Sequence, residues 1–173
     1  NYSLFTAYPF ISGRMNPNNK RKPVNTNIPN HIYQNSKHSI MDSGLFTLMF
    51  GAAKGKRDKN YLDRWMNNLI DFTIETGYQG SLVEVDCQKI LGVEEAWEFR
   101  QKMKERLPNN RVMNVWHLED GQKGLDRMIE YSDYICLSIP ELRLHKKMDY
   151  PLRLASYIKN KKPDIDIHLL GCT

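Results

Sequence analysis

The sequence predicts a parallel α/β fold, and three observations carry that prediction. Short apolar runs suited to strands alternate with stretches of helical period, in cycles of about 25 to 45 residues. The central runs, such as Tyr134–Ile139, are apolar at successive positions, as a sheet covered on both faces requires. Asp, Gly and Pro turns punctuate the cycles, and the helical stretch between successive strands makes each connection a right-handed crossover rather than a hairpin. Two closures satisfy this pattern, an open doubly wound sheet and a (β/α) barrel. About six strands and five helical links fall short of the eight of a full barrel. Neither GxGxxG nor GxxxxGK[ST] follows any strand, which removes the usual nucleotide fingerprints.

The elements read as follows. Leu4 to Ile11 is apolar and aromatic and reads as a short strand. Residues 12–37 then turn to Asn, Pro, Lys and Arg and read as a long polar, basic loop. His38–Met41 is a strand ending at Asp42-Ser43-Gly44, and Gly51 to Lys59 is a Gly/Lys-rich link. Leu62, Trp65, Met66, Leu69, Ile70 and Ile74 form one helical stripe, closed by Gly77 and Gly80. Ser81–Val85 is the next strand, running into Asp86-Cys87. Ala96, Phe99, Arg100, Met103 and Leu107 mark a helix closed by Pro108-Asn109-Asn110. Arg111–Trp116 is a strand leading to His117 and the turn Glu119-Asp120-Gly121, and Leu125, Met128 and Ile129 mark a short helix. Tyr134–Ile139 is a strand that Pro140 ends. Leu152, Ala155 and Ile158 lie on a helix with Asp149 as its cap and Pro151 in its first turn. Ile165–Leu170 is the last strand, ending at Gly171.

Composition narrows the class. With 173 residues, one domain over 1–173 is the expectation. About 40% hydrophobic residues suffice for a core, so the chain is not disordered. No apolar run reaches the roughly 18 residues of a membrane span, and the first ten residues lack the basic flank and cleavage site of a signal peptide. The chain does not begin with Met, which reads as processing or as part of a longer product. Cys87, Cys136 and Cys172 are an odd set without close spacing, which favours a reducing, cytoplasmic setting over a disulfide framework. A net charge of +5 permits a nucleic-acid partner without demonstrating one.

In parallel α/β folds ligands gather at the carboxyl ends of the strands. Asp42-Ser43-Gly44, Asp86-Cys87, Trp116-His117, Ser138 to Glu141 and Gly171-Cys172 stand there. Asp42 and Asp86, on successive strand ends, suit proton transfer or acceptance of ring N–H groups, or each simply caps its turn. His117 transfers a proton or bonds a ring nitrogen or phosphate, or is a satisfied structural histidine. Trp116 and Phe46 stack on a planar ligand or belong to the core, and His168 reads as core. A thiol nucleophile at Cys87 has no activating neighbour in sequence. The cysteine spacing supplies no zinc site, and no cofactor is called for.

The segment Met41-Asp42-Ser43-Gly44-Leu45-Phe46-Thr47 resembles the queuine/archaeosine tRNA-guanine transglycosylase superfamily, whose barrel carries Asp-Ser-Gly-Gly-Phe-Gln. It is closer to the shorter relatives of phages and DNA-modification clusters, which write Asp-Ser-Gly-Ala-Phe. Later landmarks follow in the same order: Val85-Asp86-Cys87, Asn114-Val115-Trp116-His117, Tyr134–Ser138 and Ile167–Gly171. The resemblance runs from about Ser39 to Thr173. It implies a (β/α)8 TIM-type barrel, incomplete here, that exchanges guanine in DNA or tRNA for a 7-deazaguanine base through an Asp-linked intermediate. Asp42 is then the catalytic, proton-handling carboxylate, with Ser43 and Gly44 shaping the pocket. Phe46 stacks on the base, Asp86 bonds its ring edge, Trp116 and His117 contact the substrate, and Gly171 permits close backbone approach. The nucleophilic Asp of the family lies on a strand beyond the Gly171 segment, so it is expected beyond residue 173. No metal, cofactor or membrane enters this reading. The competing expectations are a catalytically silent barrel that binds a nucleic acid or base as a subunit, and a metal-dependent hydrolase using Asp42, Asp86 and His117.

Overall fold

A computed structural model describes residues 1–16, 18, 25–50, 58–144 and 149–171. Most of the basic stretch 17–24, most of the Gly/Lys-rich link 51–59 and Cys172 therefore lie outside the described residues. The chain forms two compact units, Asn1–Val112 and Met113–Thr173. Each is a mixed α/β arrangement with parallel strands.

In the first unit β1 (Tyr2–Thr6) pairs parallel with β2 (His38–Asp42) along its whole length, Thr6 standing opposite Asp42. β2 pairs parallel in turn with β3 (Ser81–Val83), Met41 opposite Leu82. In the second, β4 (Val112–Trp116), whose first residue belongs to the preceding unit, pairs parallel with β5 (Tyr134–Ser138), which pairs parallel with β6 (Asp166–Leu170). Within each unit the strands lie side by side in chain order. That sequential order is the one a barrel uses; the strand reversal that marks a doubly wound sheet appears in neither unit.

Helices connect the strands, and several depart from expectation. The Leu4 to Ile11 run is not one strand: β1 ends at Thr6, and α1 (Tyr8–Met15) begins two residues later. Pro9 sits in the first turn of α1, where its missing N–H costs nothing, while Thr6 Oγ1 accepts the Tyr8 N–H at 3.2 Å. The expected loop over 12–37 likewise contains the end of α1 and the whole of α2 (Ile28–Gln34), which also carries Pro in its first turn. After β2 comes α3 (Leu45–Phe50), and then α4 (Lys59–Thr76), capped by Asp58, whose Oδ1 accepts the Tyr61 N–H at 2.9 Å. The α4 stripe is Leu62, Trp65, Met66, Leu69, Ile70, Phe72 and Thr73; Ile74, expected in it, is exposed. β3 stops at Val83 rather than Val85, and the short α5 (Gln88–Leu91) precedes α6 (Val93–Arg106).

The second unit keeps the expected β4, α7 (Gly121–Tyr131), β5, α9 (Tyr150–Lys161) and β6, with a 3-10 turn at Leu118–Asp120. It adds α8 (Ile139–Leu144), so Pro140 starts a helix here rather than only ending a strand. On α9 the buried pair is Leu154 and Ile158, one turn apart, and Leu152 is 78% exposed. Asp149 stands at the N-cap position without a capping hydrogen bond and pairs instead with Arg153 at 2.9 Å.

The core of the first unit packs α4 and α6 with Met41, Leu82, Val85 and Cys87 from the strand ends. Phe10 stacks on Phe72 with ring centroids 4.8 Å apart, and Phe5 meets Tyr78 edge-on at 5.6 Å. Burial pushes the Tyr78 hydroxyl up to about 12, and its oxygen lies 3.1 Å from Ser39 Oγ and 3.1 Å from the Ser81 carbonyl, bridging the β2–β3 seam. In the second unit β4 and β5 are almost wholly buried, and Leu125, Met128 and Ile129 of α7 pack as expected. Among the described residues no helix is long and apolar enough to cross a membrane.

Candidate functional site

Asp42 is the last residue of β2. Its carbonyl accepts the Ala7 N–H at 2.8 Å, which extends the β1–β2 ladder by one bond. Its carboxylate Oδ1 accepts the Gly44 N–H at 2.8 Å and so closes a tight turn around Ser43. Burial holds the Asp42 carboxyl above the usual carboxylate range, and the Gly44 bond opposes that shift only in part. Ser43 is buried, and its carbonyl accepts the Trp65 indole N–H at 3.0 Å. The turn is thereby tied to α4.

Gly44 has φ +78°, and a Cβ there would lie 2.8 Å from the backbone N of Tyr8 and 2.9 Å from its Cα. Two independent constraints thus demand glycine: a left-handed backbone and the absence of room for a side chain. α3 starts directly after it, and Phe46 in its first turn is 72% exposed. Phe46 is therefore not a core aromatic, the alternative the sequence leaves open.

Asp86 lies three residues past the end of β3, the strand that pairs with the β2 of Asp42. The Cys87 N–H bonds the Val85 carbonyl at 2.8 Å, a three-residue turn with Asp86 at its apex. Every residue from Gly80 to Gln88 is buried except Asp86, which is partly exposed. Beneath it the Cys87 thiol is pushed up to about 12, chiefly by burial and further by the charges of Glu84 and Asp86. It is protonated at neutral pH and unsuited to nucleophilic attack.

The sequence reading did not single out the group that anchors this loop. Glu84 and Arg100, each 2% exposed, form a bidentate pair: Arg100 Nε lies 2.9 Å from Oε2 and Nη2 lies 3.0 Å from Oε1. Nη2 also reaches Gln88 Oε1 at 3.4 Å, and the guanidinium lies 4.8 Å from the Trp97 ring centre. The available signal was an acidic residue inside an apolar strand and a basic one on an apolar helix stripe, sixteen positions apart.

The remaining candidates belong to the second unit. Trp116 is buried at the end of β4 and donates its indole N–H to the Gly121 carbonyl at 3.3 Å. His117 is 5% exposed, with Nδ1 3.2 Å from Oε2 of Glu141 in the first turn of α8. The His117 side chain also accepts the Asp120 N–H, while the Asp120 carboxylate accepts the His117 N–H at 3.2 Å. Glu141 lies in the strand-end segment Ser138 to Glu141, but its pairing with His117 was not legible, because Pro140 reads as a strand terminator and hides the α8 turn that carries it. Gly171, at φ +67°, does allow a close approach, but the neighbour is Pro140, whose Cγ would lie 2.8 Å from a Cβ. His168 is only partly buried.

The structure thus brings Asp42, Ser43, Gly44 and Asp86 to adjacent strand ends of one unit, with Phe46 in the helix that follows the first of them, and Trp116, His117 and Gly171 to strand ends of the other. Among the described residues no group of three or more His, Cys, Asp or Glu side chains is arranged to hold a metal ion. No family model, curated protein or solved structure matches the chain.

Proposed function

We propose that this chain is part of a (β/α)8 TIM-type barrel that exchanges guanine in DNA, or in tRNA, for a 7-deazaguanine base. One observation carries the reading. Two carboxylates, Asp42 as the last residue of β2 and Asp86 three residues past β3, stand at the carboxyl ends of neighbouring parallel strands, the place where such sheets bind ligands. They occupy unlike environments: Asp42 is held above its usual range by burial, whereas Asp86 sits at the apex of a partly exposed turn. Unequal carboxylates suit unequal roles.

In this mechanism Asp86 accepts the N–H donors of a guanine-type ring edge. A carboxylate from beyond residue 173 attacks the anomeric carbon as the C–N bond to guanine breaks, and Asp42 gives its proton to the departing base. The incoming deazaguanine loses its ring proton to Asp42 as its nitrogen displaces the enzyme carboxylate, so the proton account closes after each cycle. Carboxylates beside the oxocarbenium-like carbon lower both barriers. Phe46, exposed beside the Asp42 turn, is the stacking surface for the base.

The test is incorporation of labelled 7-deazaguanine into DNA and into tRNA by the intact protein. The expected result is transfer by the parent, with DNA the better acceptor, and none by Asp42→Ala or Asp86→Ala, both retaining the parent circular dichroism. Transfer at the parent rate by either variant overturns the assignment. A second reading, a silent barrel that binds base or nucleic acid, draws on the Asp42 Oδ1 bond to Gly44, which gives that carboxylate a purely structural use. Binding without transfer by the intact parent protein selects it.

A further inference from the structure

We propose that the buried Glu84–Arg100 pair is a positioning device for Asp86, fixing the turn from which that carboxylate meets the N–H edge of a flat heterocycle. The ligand class rests on the base-exchange reading above; the clamp itself rests on geometry. Arg100 bonds Glu84 two residues before Asp86 and Gln88 two residues after it, so a single guanidinium holds both shoulders of the turn. Its plane is fixed by the two-oxygen fork on one edge and by the Trp97 ring beside it. Between the shoulders, Val85 and Cys87 are buried and joined by the 2.8 Å bond that closes the turn, and Asp86 is the one residue of the stretch that reaches the surface.

A stability role alone accounts poorly for this arrangement. Burying two charges costs about as much as their attraction returns, and apolar residues of similar volume commonly serve a core equally well. What apolar residues do not supply is direction. A charged fork fixes where Glu84 and Gln88 sit, and the three-residue turn transmits that placement to the carboxylate between them. A carboxylate meeting two N–H donors tolerates little angular error, because hydrogen bonds weaken steeply away from linearity.

The experiment compares the parent, Asp86→Asn, Arg100→Lys and the apolar double variant Glu84→Leu/Arg100→Met. Each is titrated with 7-deazaguanine by calorimetry, and amide hydrogen exchange is followed at residues 85–87. The double variant is expected to melt within a few degrees of the parent, to exchange those amides at least tenfold faster and to bind the base at least tenfold more weakly. Asp86→Asn should lose affinity to a similar degree with exchange unchanged. Arg100→Lys, which keeps the charge without the fork, should fall between, and it carries the comparison if the double variant does not fold. Unchanged exchange, or parental affinity in the clamp variants beside a weak Asp86→Asn, overturns the clamp. If the parent does not bind, or Asp86→Asn binds as the parent does, the base-exchange reading falls, and the exchange rates then judge the clamp alone.

Discussion

Asp42 is a carboxylate whose ionisation the fold resists. Its folded-state pKa lies above the unfolded value, because burial outweighs the Gly44 bond. The native state therefore binds its proton more tightly than the unfolded chain does, and stability falls as pH rises from the ordinary carboxylate value through the raised one. Above that window the full penalty is present. Asp42→Asn keeps an oxygen for the Gly44 N–H and removes the charge, so it is expected to melt higher than the parent at pH 7. The gap should close as pH drops below the usual carboxylate range; thermal denaturation from pH 3 to 8 measures it. A variant less stable than the parent at pH 7 would mean that the charge strengthens the turn more than burial penalises it. A group that the protein keeps at a stability cost is a good candidate for function.

At the scale of elements, the Glu84–Arg100 pair makes a stability prediction separate from its proposed role. Glu84→Ala or Arg100→Ala strands one buried charge and should cost about 3–5 kcal/mol in urea denaturation, whereas replacing both with apolar residues should recover most of that loss. Equal losses in single and double variants would show that the fork contributes net stability. The elements also show where the sequence was legible. α4, α6 and α7 were readable because their apolar residues repeat at the helical period, and β2 and β5 because each is a short, largely apolar run bounded by turn residues. α1, α2 and α8 were not: each carries a proline, and proline in a first turn looks in sequence like proline in a loop. Ile74 and Leu152 fit a stripe by spacing alone, but a helix's orientation against its neighbours decides which edge of a broad stripe is covered. The Asp42 and Asp86 positions were legible as residues following strands. Arg100 and Glu141 as partners were not, since the contacts that define them join residues 16 and 24 positions apart.

For the molecule as a whole, net charge and strand polarity bear on the partner. If the proposed base exchange on a nucleic acid holds, the excess of five cationic side chains supplies phosphate contacts, and each neutralised phosphate releases counterions. Binding of a DNA duplex or a tRNA, followed by anisotropy, is expected to weaken in proportion to a power of salt concentration, roughly tenfold or more between 50 and 200 mM. Affinity independent of salt would argue against backbone contact. Parallel pairing in both units sends every strand in its sheet the same way, so the chemistry-bearing turns of each unit collect at one end. One such turn has a mechanical sequel. Tyr8 occupies the space a side chain at residue 44 would need, and Ala7 hydrogen-bonds the Asp42 carbonyl. Ala7 and Tyr8 are thus a wall of the Asp42 turn, and because β1 holds them there, deleting β1 or splinting it with a rigid fusion should disturb that turn without touching its sequence.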